Sequence, residues 1–288
     1  MILNQITHTD LNRVGHILIE LREDSMNKFE NDTQVTAVSE AVWRGELRQG
    51  WRIGDVPNGG YVLAIAARAL RSALPHKDPL AVNAFYLAPT KLGPIDCHVD
   101  ILRTGGSTSH ATVKMVQDGD IKVQVTAAFT TLSSLKGENW SRDERPQFTP
   151  RDECLVGGDS KMEFRQNVDL RIAEGGGVFR GEAPDRSGEY CGWGQLADGS
   201  DPDVMSLLMF ADAFPPPAFS ILGLVGWVPT VELTVQVRAH PSPGPLQMRL
   251  GSRYLTDGVI DEDGEIWDSS GKLVAISRQT AKVRVPRG

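Results

Sequence analysis

The sequence predicts an α+β fold made of two tandem units, each with one helix followed by an antiparallel meander of strands. Three observations predict it: an apolar segment behind a capping motif, later segments that alternate apolar and polar residues, and landmarks that recur in both halves of the chain. Alternation is the period of a half-buried strand. Since a helix and a sheet must each cover an apolar face, this order favours a layered α+β architecture.

The first unit begins with a short strand over residues 38–47. Asn58 is placed to cap a helix over residues 61–74, and Pro75 ends it. This helix is apolar on most sides, which is typical of a buried helix. Strands are then predicted from the alternating residues after position 93, with a hairpin turn at Asp118-Gly119.

The second unit repeats this order. A helix is predicted over residues 203–214, ended by the prolines at 215–217. The strands predicted after it cover residues 231–238, 246–250, 253–260, 262–267 and 272–285.

Three ordered landmarks suggest that the second unit is a repeat of the first. VWRGEL at 42–47 matches VFRGEA at 178–183, the Gly-Pro pair at 93–94 matches the pair at 244–245, and the turn at 118–119 matches the turn at 270–271. The predicted organisation is an N-terminal extension with little fixed structure, a first unit, a polar linker and a second unit. The extension covers residues 1–29, the first unit 30–132, the linker 133–166 and the second unit 167–288.

Composition excludes several classes of protein. The formal net charge of −7 argues against nucleic-acid binding, which usually needs a basic face. No segment approaches the roughly 18 uninterrupted apolar residues of a membrane span, so no membrane partner is expected. The 3 cysteines are widely spaced, which predicts reduced thiols and a cytoplasmic location. The 6 histidines form no HxxxH or HxH pair, so we expect no metal. The absence of a GxSxG motif argues against an α/β-hydrolase nucleophile. The glycines at 175–177 precede a predicted strand rather than open a helix, which argues against dinucleotide binding, and no cofactor is expected.

Four segments carry a resemblance to a known family: WRIGDVPNGGYVLAIAARAL (51–70), FYLAPTKLGP (85–94), VPTVELTVQVRAHP (228–241) and WDSSGKLVAISRQTAKV (267–283). They resemble the acyl-CoA thioesterase II-like family. The resemblance covers residues 30–286, and PNGGY and SRQ are its most specific parts. It implies a double hotdog, in which two sheets each wrap a central helix within one chain. It also implies hydrolysis of acyl-CoA thioesters to free acid and CoA.

Asp212 is the first candidate catalytic residue. It falls seven residues after Met205 on the stripe that also carries Leu208 and Met209, so its carboxylate should face the sheet. A buried carboxylate needs hydrogen-bond partners or a raised pKa. The alternative is an Asp at a helix end that reaches solvent. The resemblance implies the catalytic role.

Gln279 and Thr230 are the other two candidates. Gln279 shares a strand face with Leu273, Ala275 and Ser277, and it stands where the first unit has Ala127. An edge-strand Gln facing solvent is the alternative. Thr230 opens a strand, and simple alternation places it on the outer face, as for a structural Thr. The resemblance implies catalytic roles for both.

Together these residues predict a site in which Asp212 acts as a general base or anchors a water that Thr230 and Gln279 position. The PNGGY segment predicts substrate binding by Asn58, Gly59, Gly60 and Tyr61. Free N–H groups of the two glycines at a helix start are candidate donors to the thioester carbonyl oxygen. A tight turn with a helix cap is the alternative.

Two other functions stay open from the sequence. A hotdog hydratase or dehydratase would act on enoyl- or hydroxyacyl-CoA, but it usually needs an Asp-His pair, and no His lies near Asp212 or Gln279 in sequence. A non-catalytic acyl-binding module would hold its ligand without turnover. Convergence of Asp212, Thr230 and Gln279 on one water-sized space favours the hydrolase. Assembly of chains into homo-oligomers is left open.

Overall fold

The structure is a computed structural model that describes residues 26–156 and 162–284. Most of the predicted N-terminal extension, residues 1–25, lies outside the described residues. No helix in the described ranges is both long enough and apolar enough to cross a membrane.

From residue 26 onward, where the structure describes the chain, the first half contains two helices and a series of antiparallel strands. The helices are α1 (Lys28–Asp32) and α2 (Gly59–Ala73). The strands are β1 (Val35–Ser39), β2 (Val42–Leu47), β3 (Arg52–Ile53), β4 (Val56–Pro57), β5 (Asp78–Tyr86), β6 (Gly93–Thr104), β7 (Thr108–Gln117) and β8 (Asp120–Thr130).

The second half has the same classes of element. The helices are α3 (Ser206–Phe210) and α4 (Ala218–Leu222). The strands are β9 (Leu155–Val156), β10 (Val168–Glu174), β11 (Glu189–Leu196), β12 (Thr230–Val237), β13 (Leu246–Gly251), β14 (Leu255–Thr256), β15 (Val259–Trp267) and β16 (Leu273–Lys282). Short 3₁₀ turns lie at Leu132–Ser134, Arg151–Glu153, Glu163–Gln166 and Gly176–Arg180.

One continuous antiparallel sheet runs through both halves. Its strand order is β1-β2-β6-β7-β8-β5-β12-β16-β15-β13-β11-β10-β9, β14 pairs with β15, and β3 and β4 form a separate pair. The order of the second half mirrors that of the first about the β5–β12 seam. Buried Leu233 of β12 lies opposite Ala84 of β5, so the seam is part of the core. The predicted α+β class is confirmed.

Helix α2 is buried by the first half of this sheet and contacts β1, β2, β5, β6, β7 and β8. Residues from Gly60 to Ala67 are all buried, as the apolar sequence predicts. The Asn58 side chain accepts a hydrogen bond from the N–H of Tyr61 at 2.9 Å, which confirms the predicted cap.

The second predicted helix is shorter than expected. Regular helix covers only Ser206–Phe210, whereas the sequence predicted 203–214. Asp203 caps its start, with its side chain accepting hydrogen bonds from the N–H groups of Met205 and Ser206. After Phe210 the chain continues in tighter turns, in which Asp212 N–H bonds to the carbonyl of Met209.

One of the three repeat landmarks is wrong. VWRGEL forms strand β2, but VFRGEA falls on the 3₁₀ turn Gly176–Arg180 and the residues after it. The mirrored strand order instead equates β2 with β11, whose sequence is EYCGWGQL. β2 pairs with β6 and β11 pairs with β13, and β6 and β13 also correspond in the mirrored order. Segments 42–47 and 178–183 are therefore similar in sequence but are not structurally equivalent.

One predicted strand boundary also shifts. The turn at Asp118-Gly119 forms as predicted, with φ of 55° and 81°. In the second half a further turn, between β14 and β15, lies at Asp257-Gly258, with φ of 50° and 79°, and β15 continues unbroken from Val259. The predicted break at residue 261 is wrong because Asp-Gly supplies the two positive φ angles that a tight hairpin needs.

Helices α2 and α3 are joined by two equivalent contacts, in each of which the residue that caps one helix contacts a residue on, or just beyond, the other helix. Asn58, the cap of α2, contacts Asp212 just beyond α3, at 3.0 Å between Asn58 Nδ2 and Asp212 Oδ2. Conversely, Asp203, the cap of α3, lies 3.6 Å from the guanidinium of Arg68 on α2. The first contact joins an amide to a carboxylate, and the second is an ion pair.

Candidate functional site

Asp212 lies two residues beyond α3 and is held by the start of α2. Its Oδ2 accepts hydrogen bonds from the Gly60 N–H at 2.9 Å and from Asn58 Nδ2 at 3.0 Å. Asn58 Nδ2 also donates to the Asp212 backbone carbonyl at 2.8 Å. Free N–H groups at a helix start attract anions, and here the protein's own carboxylate fills that place. The residue comes from the second half and its partners come from the first.

The surroundings of Asp212 raise its pKa to about 6. Desolvation is the largest cause, and hydrogen bonds from the backbone of Gly60 and Gly59 and from Asn58 counteract it. The residue is nevertheless only half-buried. A carboxylate with this pKa is ionised at neutral pH and is a stronger base than an exposed Asp, which suits a general base.

Gln279 is buried in β16 and lies directly opposite Glu262 of β15. Its Nε2 donates a hydrogen bond to Glu262 Oε2 at 3.1 Å, and Glu262 Oε1 has no hydrogen-bond partner. Desolvation raises the pKa of Glu262 to about 8, and the charges of Asp212 and Asp261 add to the rise. Glu262 is therefore close enough to Asp212 for their charges to interact.

Thr230 lies on the same sheet face as Gln279. A bulge in β12 makes Thr230 the partner of Ala281 and Leu233 the partner of Gln279, with one extra residue on β12 between them. Directly paired residues share a sheet face, and so do residues two apart, such as Gln279 and Ala281. The bulge is the reason that simple alternation predicted the outer face for Thr230. Its predicted catalytic role stays a prediction.

Tyr86 is a further polar side chain beside Asp212. Its hydroxyl donates to the backbone carbonyl of Gly59 at 2.9 Å. Desolvation raises the pKa of Tyr86 well above its usual range, and the charges of Asp212 and Glu232 add to this. The phenol therefore stays neutral and braces the turn that carries Gly59.

Of the four predicted substrate-binding residues, three lie around Asp212. The side chain of Asn58 and the backbone of Gly59 and Gly60 act on its carboxylate, so these N–H groups already have an anionic acceptor. Tyr61 is fully buried, and its hydroxyl donates to the carbonyl oxygens of Asp32 at 2.8 Å and Glu46 at 3.1 Å. Binding of substrate by these four residues stays a prediction.

The structure also bears on the Asp-His pair of a hydratase. Within residues 26–156 and 162–284, no histidine hydrogen bonds to Asp212 or Glu262 or shifts either pKa. His76 bonds to Ser109 and His240 bonds to Asp78, in each case away from this carboxylate pair. The acidic groups of the site are thus accompanied by amides and backbone N–H groups.

Glu262 is the residue that the sequence analysis missed. On β15 the buried residues alternate as Ile260, Glu262, Gly264 and Ile266, which is the signal of an inward-facing strand stripe. The misplaced break at residue 261 hid this stripe, because it put Glu262 at a strand start. Reading Asp257-Gly258 as the hairpin, as at Asp118-Gly119, reveals a carboxylate in an apolar row.

Sequence comparison identifies both halves. Residues 47–131 match the model of the acyl-CoA thioesterase N-terminal domain, and residues 141–283 match that of the C-terminal domain. Among curated proteins, an uncharacterised protein of Mycobacterium tuberculosis is 26% identical over 265 residues, which cover 84% of this chain and 91% of the relative.

Two solved structures are similar over almost their whole length. A candidate thioesterase II from Thermobifida fusca has a TM-score of 0.83 and 30% identity, covering 90% of this chain and 98% of that one. A protein of unknown function with a hot dog fold from Alicyclobacillus acidocaldarius has a TM-score of 0.80 and 23% identity, covering 91% and 100%. The second likeness identifies the fold as hot dog. With both domains matched in order, this chain belongs to the acyl-CoA thioesterase family.

Proposed function

We propose that this double hotdog chain hydrolyses acyl-CoA thioesters to a free acid and CoA, with Asp212 as the general base. The observation that carries the proposal is the Asp212 carboxylate. It accepts hydrogen bonds from the Gly60 N–H at 2.9 Å and from Asn58 Nδ2 at 3.0 Å, and its pKa is raised to about 6. Membership of the thioesterase family supports the reaction class. The acyl-CoA substrate is inferred from that membership.

The reaction follows from the chemistry of these groups. Asp212 takes a proton from a water whose oxygen attacks the thioester carbonyl carbon, and the carbonyl electron pair moves onto oxygen. Collapse of this intermediate breaks the carbon–sulfur bond, and the CoA thiolate leaves with the proton that Asp212 returns. In this proposal Thr230 and Gln279, which share a sheet face, position the water.

The amide of Gln279 is a natural donor to the developing oxyanion. One hydrogen of its Nε2 goes to Glu262 Oε2, and an amide nitrogen carries a second. The N–H groups of Gly59 and Gly60 already interact with Asp212, so they hold the base rather than the oxyanion. The proposed role of the two glycines therefore differs from the one that the sequence suggested, which was donation to the thioester carbonyl oxygen.

The test is thiol release from a panel of acyl-CoAs with short, long, straight and branched chains. We expect release from some members of the panel, with the chain-length profile defining the substrate class. The Asp212→Asn protein, purified in the same way, measures any background hydrolysis. Tight acyl-CoA binding by calorimetry without release would favour the binding module. Addition of water to an enoyl-CoA without thiol release would favour the hydratase.

The acid side of the pH profile is a second prediction. A base works only when ionised, and the pKa of Asp212 is about 6, so kcat/KM should fall about tenfold for each pH unit well below that value. Thiol release measured from neutral pH downward, with circular dichroism to confirm folding, checks this. Activity that stays constant to about pH 4, the usual range of Asp, would contradict the assignment of Asp212 as the base.

A further inference from the structure

Glu262 is a buried carboxyl group to which the proposed reaction gives no role. It is only 3% exposed, and its Oε1 has no hydrogen-bond partner in the described structure. An unpaired polar atom away from water is costly, and such atoms are rare unless they have a task. The position is therefore not explained by stability.

Comparison of the two halves shows a polar side chain at this position in the second half and an apolar one at the corresponding position in the first. In the mirrored strand order, β7 and β8 correspond to β15 and β16. The first pair places Ala111 directly opposite Ala127, both buried. The second pair places Glu262 directly opposite Gln279. Two methyl groups in one half are thus replaced by a carboxyl and an amide in the other, on the side where Asp212 lies.

The protonation state of Glu262 follows from the groups around it. Asp212 comes from the end of α3 and Asp261 from β15 itself, and both negative charges add to desolvation in favouring the neutral acid. The buried Tyr190 of β11 lies near enough that the charge of Glu262 adds to desolvation in raising the pKa of its phenol. Gln279 on β16 is uncharged. With a pKa of about 8, Glu262 carries a proton at neutral pH.

We propose that Glu262 is a further catalytic residue, which as a neutral acid donates a hydrogen bond from Oε1 to the carbonyl oxygen of the thioester. Its Oε2 accepts from Gln279, which leaves Oε1 as the oxygen that bears the proton. The acid keeps this proton through the reaction and stabilises the charge that develops on oxygen. This inference rests on the proposed thioester hydrolysis and assigns a second donor to the same site.

Two substitutions separate the donor from a structural role. Glu262→Gln keeps an acceptor for Gln279 and still offers an N–H donor, but it cannot ionise. Glu262→Met removes the donor at a similar size. We expect Glu262→Met to lower kcat about 100-fold, the usual loss for one oxyanion donor. We expect Glu262→Gln to stay within about tenfold of wild type at neutral pH, because it still donates to the developing oxyanion.

The pH profile is the deciding readout. Wild type should lose activity above about pH 8, as Glu262 ionises and ceases to donate. Glu262→Gln should lack this alkaline limb and keep the acid limb of Asp212. The matched control is Glu265→Gln, on the opposite face of the same strand, which should keep both limbs. A protonated-acid carbonyl band in the infrared spectrum at neutral pH, absent from Glu262→Gln, would identify the neutral form directly.

The outcomes distinguish this inference from the proposed function. Thiol release by wild type that depends on Asp212 supports the proposed hydrolase function. If a folded Glu262→Met protein then has wild-type kcat, the proposed role of Glu262 as a donor is wrong, and the hydrolase function stands. An alkaline limb that persists in Glu262→Gln overturns the donor role as well. If Glu262→Met does not fold, the Glu262→Gln profile decides. If wild type releases thiol from no acyl-CoA, both the proposed hydrolase function and the proposed donor role of Glu262 are wrong.

Discussion

Replacing Asp212 with Asn is expected to lower kcat for thiol release by on the order of 10³-fold while leaving the fold intact. Asn has the same shape, and its oxygen can still accept from the Gly60 N–H, but it cannot take a proton from water. Because desolvation disfavours the charged carboxylate, removing the charge should not lower stability at neutral pH. Steady-state kinetics and thermal unfolding of the same preparation measure both effects.

The matched control for Asp212→Asn is Asp100→Asn. Asp100 lies on β6 and is exposed, so its change alters the charge of the chain equally without touching the site. It should leave kcat unchanged. Wild-type turnover by a folded Asp212→Asn protein would show that another group activates the water.

Gly60→Ala is expected to lower the free energy of unfolding by about 3 kcal/mol, at the upper end of ordinary overpacking. A Cβ at this position would lie 2.7 Å from the carbonyl oxygen of Leu208 and 2.9 Å from the Cα of Met209. These are backbone atoms, so no rotamer change can relieve the contact. Helix α3 would have to move away from α2, and Asp212 would move with it.

Gly59→Ala is the matched comparison, because it adds the same methyl one residue earlier in the same helix. Its Cβ would lie 2.9 Å from Asp212 Oδ2 and 3.1 Å from the Tyr86 hydroxyl, both ends of side chains that can turn. We expect a smaller loss of stability, about 1 kcal/mol or less, and a clear loss of kcat as the carboxylate is displaced. Urea unfolding and thiol release of both variants check this, and equal stabilities would contradict it.

The sequence predicted those elements whose local pattern agrees with their surroundings. Helix α2 has a capping Asn58, an apolar body and a proline after its end, and the structure keeps all three. Strands β7 and β8 alternate cleanly around an Asp-Gly turn. In such segments local preference and burial point to the same structure.

The parts that the sequence did not predict depend on long-range contacts. Helix α3 gives way to tighter turns just after the residues that pack against Gly60, which lies 148 positions before Leu208 in the numbering. Thr230 changes face through a bulge, which one extra residue between two strands creates. Glu262 lies within the acidic run 261–263, which resembles a solvent-exposed turn until β15 is seen to continue through it. The partners of Asp212 come from the other half and could not be read locally.

The reciprocal contact of the two central helices has a consequence for symmetry. Two identical subunits joined as these halves are would carry the same residue at both helix ends, and therefore either two carboxylate sites or two ion pairs. A single covalent chain is free of that constraint. Here one end holds Asp212 against Asn58, and the other holds Arg68 against Asp203. One of the two equivalent contacts is therefore free to form the proposed site, while the other joins the two helices through an ion pair.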